Sequence, residues 1–129
     1  MPEPMTLGDL QLAIMRILWS RGAASVAEVH EALLEERGLA PTTIATMLVK
    51  LEKKGAVTHR VDGRKFLYEP AVSEGAVRRS MVEELTQRLF DGQAAALVSH
   101  LLAEQRISRE EVDELRRLLA GEGTEEEEP

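Results

Sequence analysis

The sequence predicts a mainly α-helical protein: an N-terminal winged helix-turn-helix with a small β-hairpin wing, then a C-terminal α-helical dimerisation region. Three observations lead there. Three short amphipathic helix patterns follow one another before Gly55. Two β-prone runs then flank Asp62-Gly63. From Ser73 to Leu119, apolar residues recur at helical spacing in three further segments. Short helices followed by a hairpin are the order of a winged helix, with the third helix as reader and the hairpin as wing.

The first helix is signalled by Thr6-Leu7-Gly8-Asp9, a capping-box-like opening with Asp in the place usual for Glu or Gln. Leu10, Ala13, Ile14, Ile17 and Leu18 then recur at helical spacing, and Arg21-Gly22 ends the run. Ser25-Val26-Ala27-Glu28 is a capping box with its glutamate in place; the helix it opens should bury Val26, Val29, Ala32 and Leu33, and Gly38 should stop it. Pro41 suits the first turn of the third helix and Gly55 the position just past its end. Between them Ile44, Met47, Leu48 and Leu51 form a stripe at i, i+3, i+4, i+7. The hairpin is predicted over Val57–Val61 and Lys65–Tyr68, closed by Pro70. A longer helix should run from Ser73 to about Phe90, Asp91-Gly92 should interrupt it, and Ser108-Arg109-Glu110-Glu111 is a second full capping box, opening the last helix.

The face of the third helix opposite its apolar stripe carries Thr42, Thr43, Ala45, Thr46, Lys50 and Lys53, with no acidic residue before Glu52. A solvated helix usually mixes both signs. Threonine hydroxyls can meet bases or phosphates and their methyl groups can touch thymine, while Lys50, Lys53 and Lys54 can neutralise phosphates. An ordinary surface helix with tolerated threonines is the plain alternative for this stretch alone. The hairpin shifts the balance, because Arg60, Arg64 and Lys65 cluster at a turn that needs no cations.

The net charge of −7 is unevenly placed. Residues 1–82 hold 11 basic against 10 acidic residues, residues 83–129 hold 5 against 13, and within 40–65 there are six basic and two acidic. A local basic patch can grip phosphates on an acidic protein, because screening confines remote charge to about 8–10 Å. The absence of cysteine removes disulfides and thiolate metal sites and fits a cytoplasmic protein. No signal peptide and no transmembrane run are read, so no membrane insertion is expected.

Catalytic signatures are missing: there is no glycine-rich phosphate loop, His-Glu helix motif or nucleophile elbow. Neither a cofactor nor a metal is implied. His30, His59 and His100 lack metal-ligand spacing, and Glu35-Glu36, Glu83-Glu84 and Glu110-Glu111 fall on polar helix faces where solvation explains them. The three C-terminal helices carry more apolar surface than a small winged helix can cover, so a two-fold partner is expected. The residues offered to it are Val77, Met81, Leu85 and Leu89, then Leu97, Val98, Leu101 and Leu102, then Val112, Leu115, Leu118 and Leu119. The regions are thus 1–72 for DNA binding, 73–120 for dimerisation, and a disordered acidic tail over 121–129.

Four stretches, "LQLAIMRILW", "TTIATMLVKLEKKGAV", "GRKFLYEPAV", and "ALVSHLL" followed by "ISREEVDELRRLL", together resemble the BlaI/MecI/CopY-type family of penicillinase repressors over residues 7 to 119. The resemblance implies a homodimeric repressor on a dyad operator in double-stranded DNA. It matches Thr43 and Thr46 to the family's recognition-helix threonines and Arg64 and Lys65 to its wing. Lys50 stands where arginine is common, a point charge in place of a planar fork. Thr42 and Ala45 fall where some members carry basic side chains. The resemblance also implies a membrane metalloprotease sensor as a partner that relieves repression by cutting the dimer region, at the bond matching His100–Leu101. The copper-responsive branch's cysteine cluster is absent, which excludes copper sensing through that motif. A ligand-responsive winged-helix regulator of the multiple-antibiotic-resistance type and a winged-helix protein–protein adaptor remain as alternatives.

Overall fold

A computed structural model describes residues 5–121. Along the chain run α1 (Asp9–Arg21), α2 (Val26–Arg37), α3 (Pro41–Lys54), β1 (Val57–Asp62), β2 (Lys65–Pro70), α4 (Glu74–Phe90), α5 (Ala94–Ala103) and α6 (Arg109–Leu119). The chain divides into two compact units, Met1–Met81 and Val82–Pro129. The acidic tail expected over 121–129 lies, from residue 122 onward, outside the described residues.

The first unit is built on one core. Ile14, Met15 and Leu18 of α1, Val29 and Leu33 of α2, and Ile44, Leu48 and Leu51 of α3 meet Ala24, Val57 and Tyr68 there. The caps of α2 form as expected: the Ser25 hydroxyl accepts the Glu28 backbone N–H at 3.2 Å and the Glu28 carboxylate accepts the Ser25 N–H at 2.8 Å. That backbone hydrogen bond is the main reason the Glu28 carboxyl sits below its ordinary pKa. Gly38 and Gly55 end α2 and α3 in the left-handed conformation.

The start of α1 differs from expectation. Its N-cap is Gly8 rather than Thr6, and the Gln11 side-chain oxygen accepts the Gly8 N–H at 3.1 Å, so a glutamine at the third position does the work without a capping hydroxyl. The buried stripe is also rotated: Gln11, Ala13, Ile14, Met15 and Leu18 are buried while Leu10 and Ile17 are only half so. In α2, Ala32 is exposed and Val26 half-buried, leaving Val29 and Leu33 as the anchors.

The wing is an antiparallel hairpin in which Asp62 pairs with Lys65, so the two-residue turn is Gly63-Arg64, one step beyond the Asp62-Gly63 read from sequence. Gly63 has φ +66°, which suits the first central position of a type II′ turn. The hairpin gains a third rung from the α1–α2 connector: Ala24 and Tyr68 exchange backbone hydrogen bonds of 3.0 and 2.8 Å. A single bridging residue has no periodicity, so sequence reading passed over it.

The first turns of α4 belong with this unit. Ser73 caps the helix by accepting the Ala76 N–H, Trp19 donates its indole N–H to the Val72 carbonyl at 2.9 Å, and the Met5 N–H reaches the Ser80 hydroxyl at 2.7 Å. Val77, expected on a dimer face, is only 1% exposed and is part of this core, with Met81 packed partly against it. It is therefore removed from any surface offered to a partner. In the second unit the capping box of α6 forms as expected, with Ser108 and Glu111 bonded reciprocally at 2.9 and 3.1 Å.

Truncating Val77 to Ala deletes two methyl groups at about 0.8 kcal/mol each and leaves a cavity, for a loss of about 2 kcal/mol. Urea unfolding should register that loss equally at low and high protein concentration; a loss confined to low concentration would return Val77 to an intersubunit contact.

Candidate nucleic-acid interface

Anchoring α3 through Ile44, Leu48 and Leu51 decides what its other side presents. Thr42, Thr46, Val49, Lys50 and Lys53 are exposed, and Thr43 and Ala45 lie half-buried on the flanks. No ion pair engages Lys50 or Lys53 among the described residues. Pro41 occupies the first turn, and the first acidic residue, Glu52, is turned toward the wing.

That turn couples helix to hairpin. His59 Nδ1 lies 2.8 and 3.0 Å from the two Glu52 carboxylate oxygens. The imidazole stacks on Phe66 with centroids 4.3 Å apart and approaches Tyr68 at 5.5 Å. Burial, aided by the negative charge of Glu52, raises the pKa of the Tyr68 hydroxyl. A hydrogen bond from β1 to Glu52 thus fixes the end of α3 against the hairpin, and the aromatic stack holds the two strands of that hairpin together.

The predicted cations do not all play the same part. Arg64 stands in the exposed turn, and Lys65 next to it is exposed, with its charge felt by Glu28 of α2. Arg60 projects from the strand face opposite His59, but its Nε donates to Glu69 Oε2 at 2.9 Å. This hydrogen bond, with the Glu69 charge, pushes the Arg60 pKa further up and also neutralises the side chain locally. Lys54 departs from expectation: its ammonium donates to the Thr6 carbonyl at 2.7 Å and to the Gln11 side-chain oxygen at 3.0 Å. It ties the end of α3 to the segment before α1 and to α1 itself, and so is withdrawn from the exposed threonine-lysine face. Val49 was missed. Its apolar type gave no signal in the sequence, and only the folded helix places it on the exposed side with Thr46 and Lys53.

In the second unit, none of the α5 and α6 residues is buried. Leu97, Val98, Leu101, Val112 and Leu115 are half-buried, whereas Leu85, Leu89, Leu102, Leu118 and Leu119 are exposed, Leu89 at 69% and Leu119 at 88%. His100 is exposed on α5, with its ring 6.1 Å from that of Phe90. Among the described residues no three His, Cys, Asp or Glu side chains are grouped to hold a metal ion, and no helix is long and apolar enough to cross a membrane.

Three helices around one core, a hairpin paired through Ala24, and a cationic third helix define a winged helix-turn-helix protein. The penicillinase repressor family matches residues 7–121, and the chain belongs to that family. It is 40% identical over 116 residues to the transcriptional regulator BlaI of Mycobacterium tuberculosis, covering 88% of this chain and 83% of that one. It is 31% identical over 113 residues to the penicillinase repressor of Bacillus licheniformis, covering 88% of each. Among solved structures, the DNA-binding domain of the repressor BlaI superposes with TM-score 0.52 at 34% identity, covering 59% of this chain and 93% of that one. The monomeric form of Bacillus licheniformis BlaI in complex with the blaP half-operator gives TM-score 0.50 at 34% identity, with the same coverage.

Replacing Lys54 by Ala should cost about 1 kcal/mol, the usual net worth of a hydrogen-bonded tether, whereas Lys53→Ala should leave stability unchanged. Equal effects in parallel denaturant titrations would show that the Thr6 tether contributes nothing.

Proposed function

We propose that this protein is a transcriptional repressor that binds operator DNA, with α3 in the major groove and the wing against the flanking backbone. The single observation that carries this reading is the exposed face Thr42, Thr46, Lys50, Lys53, held by a buried stripe beside an exposed Arg64–Lys65 turn. Family membership and the half-operator complex of a relative support it. Lysines and the wing arginine meet phosphates and set register, while threonine hydroxyls meet base edges. Thr43 and Ala45, on the flanks, line the groove walls. Arg60 joins the phosphate contacts once DNA displaces Glu69 from it.

The repressor acts as a homodimer on two half-sites about one helical turn apart. Support comes from the apolar side chains left uncovered on α4, α5 and α6, which a second copy would bury. Relief follows cutting at His100–Leu101 in α5 by a sensor metalloprotease. Severing that helix divides the surface that joins the protomers, and an operator gripped through one half-site is released.

Fluorescence anisotropy against the protein's own promoter fragment and a scrambled duplex, at two salt concentrations, tests the reading. Preferential, salt-sensitive binding is expected; no binding at low salt would leave a protein–protein adaptor. Joint Arg64→Ala and Lys65→Ala changes should weaken binding to both duplexes and make the salt slope shallower by up to about two charges. Thr46→Ala should instead lower the preference for promoter over scrambled DNA, by about tenfold. An equal loss on both duplexes would assign reading to another element.

Leu118→Asp with Leu119→Asp should sediment as a monomer and lose about a hundredfold in operator affinity while holding a single half-site as before. A site-specific protease sequence placed across residues 100 and 101 should, once cut, do the same. Cleaved protein that stayed dimeric on its operator would remove this route of relief.

A further inference from the structure

We infer that Val49 is a base-reading residue, whose side chain meets the C5-methyl group of a thymine in the groove occupied by α3; the inference rests on the reading of α3 given above. Val49 is 45% exposed, and it points away from the core. It follows Thr46 by three residues and precedes Lys53 by four, so Thr42, Thr46, Val49 and Lys53 form one line along the solvent side of the helix. On that line Val49 is the one apolar side chain.

The chemistry of its surroundings selects the occupant. Lys50 and Lys53 flank it and make no ion pair among the described residues, so whatever covers Val49 brings negative charge around a small apolar spot. A single valine is no protein-docking patch, since such patches are contiguous. The other exposed large apolar side chains of the first unit are elsewhere: Leu34 is on α2, and Val61 and Phe66 face each other across the wing. Ringed by phosphate, the major groove offers one apolar feature, the thymine methyl, and that methyl separates an A·T pair from every other orientation and pair. A β-branched side chain suits this contact because its χ1 is already restricted and its methyl groups arrive in fixed positions. Threonine and lysine on the same line can each satisfy several bases. Val49 therefore contributes discrimination that its neighbours cannot.

The test uses the full chain and a duplex selected by it from a random-sequence pool. Each thymine of the half-site is replaced in turn by deoxyuridine, which removes only the methyl group, and the series is titrated with the wild type and with Val49→Ala. At one thymine per half-site the wild type should bind about three- to fivefold more weakly after the change, the worth of one buried methyl. Val49→Ala should be insensitive at that same position, and its thermal melt should match the wild type because the side chain is exposed. Equal loss in both proteins, or no sensitive thymine anywhere, overturns the inference. Thr46→Ala run alongside separates the two levels. If it loses preference for the selected duplex while the uracil series stays additive, only the role of Val49 fails; if it keeps full preference, α3 is not the reader.

Discussion

The packing of one stripe, Ile44, Leu48 and Leu51, against α1, α2 and the base of the wing is the constraint on which the rest depends. Interior side chains at native density tolerate little rotation, so a helix held at these three points can turn only one way outward. A change in any of them would rotate or loosen the opposite face without touching it. The core thus acts through geometry, by determining which residues of α3 face outward.

Charge is allotted with similar economy. The patch between residues 40 and 65 holds most of its cations free, yet two are committed within the protein. Lys54 is spent on a carbonyl and an amide oxygen, and Arg60 is matched by Glu69. Glu69 stands to Arg60 as a phosphate would, so a phosphate would have to displace it to reach the guanidinium. The bare count of basic residues therefore overstates the field available to DNA, while the −7 of the whole chain hides it altogether.

Much of this was legible in the sequence because its causes are local. The capping boxes at Ser25 and Ser108, the proline opening α3, the glycine closing it, and the alternating hairpin each reside within a few residues of chain. What escaped was set by distant partners. Ala24 becomes a strand rung only when Tyr68 arrives. Val77 sits at helical spacing with Met81 and Leu85, and nothing local marks it as the residue that closes the first core. Lys54 reads like Lys53 until Thr6 is seen beside it. The exposed face of α3 was legible from its buried stripe, apart from Val49, whose exposure follows from direction, a property of the folded helix and not of residue type.

Every buried side chain among the described residues lies at or before Val77. On the ribosome, where the N-terminal part emerges first and domains fold as units, the winged helix holds all of its core while Val82–Pro129 is still being added. A nascent chain thus has a folded winged helix before the second unit has been made. If the chain pairs as proposed above, newly made protein first meets DNA as single winged helices, and the strength of its grip is a matter of how soon a second chain is found.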